Sequence, residues 1–164
     1  MLNTFLHGPK NLMNAWKSLR KQLTDDITEL EQLMLITKFW SLAPLSTRSL
    51  DWDNPQLWPN AWQLIHSQEF DENSISLAMF YTLILSSDSH WTYDRLSLIL
   101  VKDNRRQIQK IILRIDNRWI MNLDYNLVVD SNVTPVNLSI QQKYIFDGKQ
   151  HFSVDNRKNI SNTS

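Results

Sequence analysis

The 164-residue sequence carries 17 basic and 17 acidic residues and no cysteine. Zero net charge withholds the basic excess that nucleic-acid binders usually carry. The missing thiols exclude disulfides, thiolate metal sites and a cysteine nucleophile, and a chain of this length buries enough apolar surface to fold without such staples.

Two helices open the chain. Pro9 suits a first helical position just after Gly8, and Leu12, Trp16, Leu19 and Leu23 then recur as one apolar stripe. Lys10, Lys17, Arg20 and Lys21 fall outside the stripe and form a basic block, followed by the acidic block Asp25, Asp26, Glu29 and Glu31. Such blocks read first as solvated helix faces. Thr24 or Asp25 can cap a second helix, whose apolar residues run from Ile27 to about Trp40. Residues 41–60 hold Pro44, Pro55 and Pro59 with Trp52 and Trp58, a connector packed against the rest of the domain. A short helix is expected from Ala61 to about Ser67. Asp71 or Asn73 can cap the next one, to about Leu85, which is apolar on nearly every face and so reads as a buried central helix. Strand patterns follow at Arg95 to Val101, Gln107 to Ile115, Trp119 to Met121, Asn126 to Asp130 and Lys143 to Phe146, with Asp116-Asn117-Arg118 as a hairpin loop.

These elements predict an α/β (α+β) fold with an N-terminal helical hairpin and a buried central helix packed on a small, mainly antiparallel sheet. The expected divisions are 1–40 for the N-terminal helices, 41–60 for the Pro/Trp connector, 61–147 for the α+β core and 148–164 for a polar tail, together one compact domain. No leader pattern and no membrane-length apolar run is read. The Asn-x-Ser/Thr sequences at Asn132, Asn137, Asn159 and Asn162 are expected by chance in an Asn-rich chain.

Candidate chemistry is sparse. His7, His66, His90 and His151 stand far apart without metal-ligand spacing, so no metal and no cofactor is expected. Ser74 and Ser76 lie near the start of the central helix, where a nucleophile gains from the helix dipole. A serine nucleophile also needs a base and an orienting group, and only the distant His66 and His90 offer one, so capping is the expected role. Paired acids at Asp25-Asp26, Asp51/Asp53 and Glu69/Asp71-Glu72 read as caps and solvated groups. Two glycines cannot build a phosphate loop.

The order of pieces from Trp58 to Asp130 resembles the transglutaminase-like, papain-type cysteine peptidase family. Trp58-Pro59-Asn60-Ala61-Trp62-Gln63-Leu64-Ile65 is similar to the family's opening stretch and short helix. Phe70-Asp71-Glu72-Asn73-Ser74-Ile75-Ser76-Leu77-Ala78 matches the start of the buried helix, where the family places its nucleophile in a motif like Gly-Asp-Cys-Glu-Asp. The resemblance implies that Asp71 stands about where the cysteine belongs. Gln109 or Lys110 stands at the histidine and Asn122 or Asp124 at the acid, so Asp71, Lys110 and Asp124 are the expected remnants of a triad. A second resemblance, of style rather than motif, is to the small, Asn-rich, cysteine-free proteins of tailed bacteriophages.

Together these imply a non-catalytic structural or assembly protein, a component of a tailed-phage virion (neck, tail or baseplate). It would reside in the virion, or in host cytoplasm during assembly. It would bind other structural proteins of the same assembly, or further copies of itself, through Lys10, Lys17, Arg20, Lys21, Trp52 and Trp58. Neither nucleic acid nor a membrane span is expected. The alternatives are a hydrolase using Ser74 or Ser76, and a module binding nucleic acid or a membrane surface through the basic block.

Overall fold

A computed structural model describes residues 4–47, 50–88, 90–149 and 151–156. Among the described residues four α-helices lead into a six-stranded, wholly antiparallel sheet, the α+β architecture the patterning predicts. Helix α1 (Pro9–Gln22) has Pro at its first turn behind Gly8 at φ +87°, and buries Leu12, Trp16 and Leu19. Helix α2 (Glu29–Trp40) begins later than Thr24 or Asp25 would place it. Its cap is Thr28, in a capping box with Glu31, and the preceding residues form a turn tied down by the buried Gln32 amide, which donates to the Thr24 carbonyl at 3.0 Å. Thr28-Glu29-Leu30-Glu31 carries the Thr-x-x-Glu signature of that box, whereas Asp25 and Asp26 lie in the turn ahead of it.

The connector is sewn to the domain. The Trp58 ring packs 4.6 Å from Tyr144 and 5.4 Å from Phe152, and its indole donates to the Asp51 carbonyl at 2.9 Å. The Trp52 carbonyl accepts from Gln142 Nε2 at 2.9 Å and from Tyr144 Oη at 3.0 Å. Helix α3 (Ala61–Ser67) follows, capped by Asn60 and closed by Gln68 in a left-handed conformation.

Helix α4 (Glu72–Ile84) is buried from Asn73 to Leu83. Helices α1, α2 and α3 pack on one side of it and the sheet on the other. At its centre Thr82, 0% exposed, joins three helices. Its hydroxyl accepts from Trp16 Nε1 at 2.9 Å and Trp40 Nε1 at 3.1 Å, and donates to the Ala78 carbonyl at 2.7 Å. One hydroxyl with two lone pairs and one proton is thereby fully used.

The strands are β1 (Leu96–Asp103), β2 (Ile108–Ile115), β3 (Trp119–Met121), β4 (Val128–Asp130), β5 (Leu138–Phe146) and β6 (Phe152–Val154), in the spatial order β4-β3-β2-β1-β5-β6. Asp116 and Asn117, both at φ 55°, make the tight β2–β3 turn, with Arg118 N donating to the Ile115 carbonyl. Arg95, just before β1, donates to both Asp116 and Glu29, fastening α2 to this corner. That hydrogen bonding holds the Glu29 carboxyl below its usual range, with His90 adding to the effect.

Two features differ from expectation. Strand β5 starts five residues before Lys143: Leu138 and Ile140 alternate with Ser139 and Gln141 for only four residues, and the pairing with β1 then shifts register between Leu100 and Val101. The expected polar tail begins with β6, whose Phe152 is buried among Trp58, Phe80 and Phe146. The rest of that tail from Arg157, with Asn159 and Asn162, lies outside the described residues. No helix among the described residues is long and apolar enough to cross a membrane.

Candidate functional site

Because β3 pairs only with residues 113–115 of β2, the edge of β2 beyond Leu113 is left open, and the N-terminus of α4 closes against it. Asn73 Oδ1 accepts from Ile111 N at 2.8 Å, and Ser76 Oγ donates to the Ile111 carbonyl at 2.8 Å. Asn122, immediately after β3, adopts φ 67°, a left-handed conformation that Asn tolerates. From there its amide donates to Ser76 Oγ at 2.8 Å and to the Glu72 carbonyl at 2.6 Å. Four hydrogen bonds from three polar side chains thus lock the helix to the strand and to the segment after β3.

What this lock presents to solvent is an ion pair. Glu72, in the first turn of α4, faces the Lys110 ammonium of β2 at 3.4 Å; the lysine side chain is 6% exposed and the carboxylate 63%. Lys110 Nζ also lies 3.5 Å from the Leu123 carbonyl. A carboxylate at a helix N-terminus is favoured by the helix dipole, and a nearly buried ammonium requires partners of this kind. The pair opens into a cleft of about 300 Å³ between the C-terminal end of α2 and the segment after β3. On the far side Arg106 pairs with Asp124 and donates to the Leu123 carbonyl at 3.1 Å. Tyr125 spans the mouth, its hydroxyl donating to the Ser41 carbonyl at 3.2 Å.

Thr37 lines the cleft at 4% exposure, and its buried hydroxyl has no hydrogen-bond partner among the described residues. Replacing an unsatisfied hydroxyl by a methyl of the same shape removes a desolvation cost. Thr37→Val is therefore expected to leave stability unchanged or raise it by up to about 1 kcal/mol. Denaturant unfolding that shows a loss larger than that would mean the hydroxyl is satisfied in solution.

The sequence-predicted residues separate. Lys110 and Asp124 line the cleft. Asp71 does not: it caps α4, its Oδ1 accepting from Ser74 N at 2.8 Å and its Oδ2 from Leu50 N at 3.3 Å. The acidic residue that meets Lys110 is its neighbour Glu72. Ser74 Oγ is spent on the Asp71 backbone and Ser76 Oγ on Ile111 and Asn122, and neither hydrogen-bonds a histidine among the described residues. The serine-hydrolase alternative therefore lacks its base. Lys10, Lys17 and Lys21 are exposed on α1. Arg20 instead stacks 4.2 Å over Trp16 and donates to the Leu85 carbonyl at 3.2 Å. Trp58 is buried and Trp52 half-buried in the sewn connector. No cluster of three metal-ligating side chains occurs among the described residues.

Four α-helices, the last of them buried against an antiparallel sheet, form an architecture similar to the transglutaminase-like cysteine protease fold. Solved structures with this arrangement include Legionella pneumophila LapG. The calcium-bound form matches with a TM-score of 0.65 and 14% identity, covering 88% of this chain and 77% of that one. The EGTA-treated form matches with a TM-score of 0.66 and 13% identity, covering 93% and 80%. Identity this low shows the fold alone. No protein-family model matches the sequence, and no curated protein matches it. The expectation of a non-catalytic structural part of a tailed-phage virion is corrected by these neighbours. The likeness points to a peptidase-like fold rather than to a particle component, and the reading as a non-enzyme falls with it.

Proposed function

We propose that this chain is a peptidase-like protein that takes a segment of polypeptide into the cleft at the N-terminus of α4. The observation that carries the reading is the Glu72–Lys110 pair. It stands at the junction where the resemblance puts a nucleophile on the helix and a base on the strand, and it opens into a cleft of about 300 Å³. Asn122 and Asp124 stand nearby, after β3, where the third member belongs. This chain has no cysteine, so it supplies no thiolate. Its pair instead offers an acceptor and a donor side by side, the complement of a peptide group's N–H and C=O. The cleft is rigid on the α4 side, so little ordering cost is charged against binding.

Panning a displayed library of random peptides, roughly twelve residues long, tests this. Recovered peptides are expected to bind about tenfold or more weakly to Glu72→Gln and to Lys110→Met, a loss of the size seen at interface anchors. Thermal unfolding should show that both variants still fold: Gln keeps an oxygen acceptor for the nearly buried Lys110 ammonium, and Met leaves no charge to bury at position 110. Failure to recover peptides, or equal binding by parent and variants, would refute the reading.

A further inference from the structure

The cleft does not end at Asp124. Thr37, Asp124 and Asn126 line both it and a larger groove, of about 1090 Å³, between α2 and β4. Along that groove Leu30, Met34, Leu127 and Val133 expose apolar side chains, Met34 to 55%, Leu127 to 56% and Val133 to 75%. Leu30 and Met34 lie one helical turn apart on α2 and so share a face. Single exposed apolar residues are ordinary, whereas several along one groove mark an interaction surface.

One wall of the groove is β4, the outermost strand of the sheet on that side. Ser131 N donates to the Arg118 carbonyl at 2.9 Å, which puts Arg118 and Ser131, just outside β3 and β4, at a hydrogen-bonding position of the antiparallel ladder, although Arg118 N itself goes to Ile115. Such pairs alternate, so Ile120 and Val129 form the next one. The N–H and C=O of Val128 consequently point away from β3, toward the open edge. The charges at the rim are consumed: Arg118 is paired with Asp130 at 2.9 Å, and Asp124 with Arg106. The remaining charged side chains, Glu31 and Lys38, are one of each sign.

We propose that this groove receives an extended, uncharged stretch of polypeptide with apolar side chains at alternate positions, added to β4 as a further strand. The Val128 backbone would supply hydrogen bonds, and the α2 face with Leu127 would bury every second side chain. The groove is continuous with the cleft, so the proposal rests on the reading of the cleft as a polypeptide site. The stretch is the flank of the segment that Glu72 and Lys110 meet.

Peptides recovered by the library above test it. They are expected to share apolar residues at every second position. Each is expected to bind about tenfold or more weakly to Met34→Glu and to Leu127→Glu. N-methylation of alternate peptide amides should cost binding to a similar extent, because strand addition uses main-chain hydrogen bonds. Both side chains are exposed, and circular dichroism melts should confirm that the variants fold. Binding lost in Glu72→Gln but unchanged in Met34→Glu and Leu127→Glu would overturn the groove and leave the cleft. Binding lost in the groove variants but unchanged in Glu72→Gln would leave the groove and overturn the cleft. Sedimentation showing a dimer that Met34→Glu dissociates would overturn the proposal in favour of a second copy as occupant.

Discussion

Ala78→Asp is expected to abolish the cooperative folding of this protein. Ala78 lies at the middle of α4 and is 2% exposed, in a helix whose neighbours on every side are buried. A carboxylate there would have no cation to meet: Lys110 is committed to Glu72 at the end of the helix, and Arg20 to its tryptophan and the Leu85 carbonyl. An unpaired buried charge costs several kcal/mol, on the order of 4 to 5 or more. Total stability for a domain is only about 5 to 15 kcal/mol. The check is a near-ultraviolet circular dichroism melt, which should show no transition for the variant. A sharp transition within a few degrees of the parent would refute the central position of α4.

Thr82→Val should produce the next largest loss. The substitution keeps the shape and removes the oxygen, leaving the indole N–H groups of Trp16 and Trp40 buried without an acceptor. Each orphaned donor costs about 1 to 3 kcal/mol, so the expected destabilisation is about 2 to 6 kcal/mol. Thr82→Ser retains the hydroxyl and should lose only about 1 kcal/mol for the missing methyl. Urea denaturation of the pair of variants separates the two contributions. Equal losses from Val and Ser would show that packing, rather than the shared oxygen, joins α1 and α2 to α4.

Much of the fold is legible in the sequence wherever one physical signal dominates. The α1 stripe at Leu12, Trp16 and Leu19, the all-round apolar α4 and the Asp116-Asn117 turn each carry such a signal. The first half of β5 carries a weak one, because its alternation lasts only from Leu138 to Gln141, Ile140 stays 45% exposed and the register against β1 shifts there; its place between β1 and β6 makes it a strand. The site is legible to the level of its neighbourhood. Lys110 reads as the strand residue of interest, but the motif stretch is read one residue early. Setting Phe70-Asp71-Glu72 in register with Gly-Asp-Cys puts Glu72, not Asp71, beneath the cysteine, and the structure has Glu72 facing Lys110. The tie from Asn73, Ser76 and Asn122 to Ile111 has no local signature. It joins residues 35 to 46 positions apart through a strand edge that exists only once β3 stops short. Reading the chain as a particle component follows from missing chemistry and a likeness of style, and an absent triad says little about what a retained cleft does.

The two walls of the cleft are held with unequal strength. The α4 wall is fixed by four hydrogen bonds, three of them buried or half-buried, whereas Tyr125, 78% exposed, reaches across to Ser41 through a single one. A hydrogen bond of that kind contributes about 0.5 to 1.5 kcal/mol, so molecules with the tyrosine in place outnumber those with it swung out by only roughly two- to twelvefold. On that ratio the open mouth is a minor but accessible population, and an entering ligand needs no more than about 1.5 kcal/mol of differential affinity to select it.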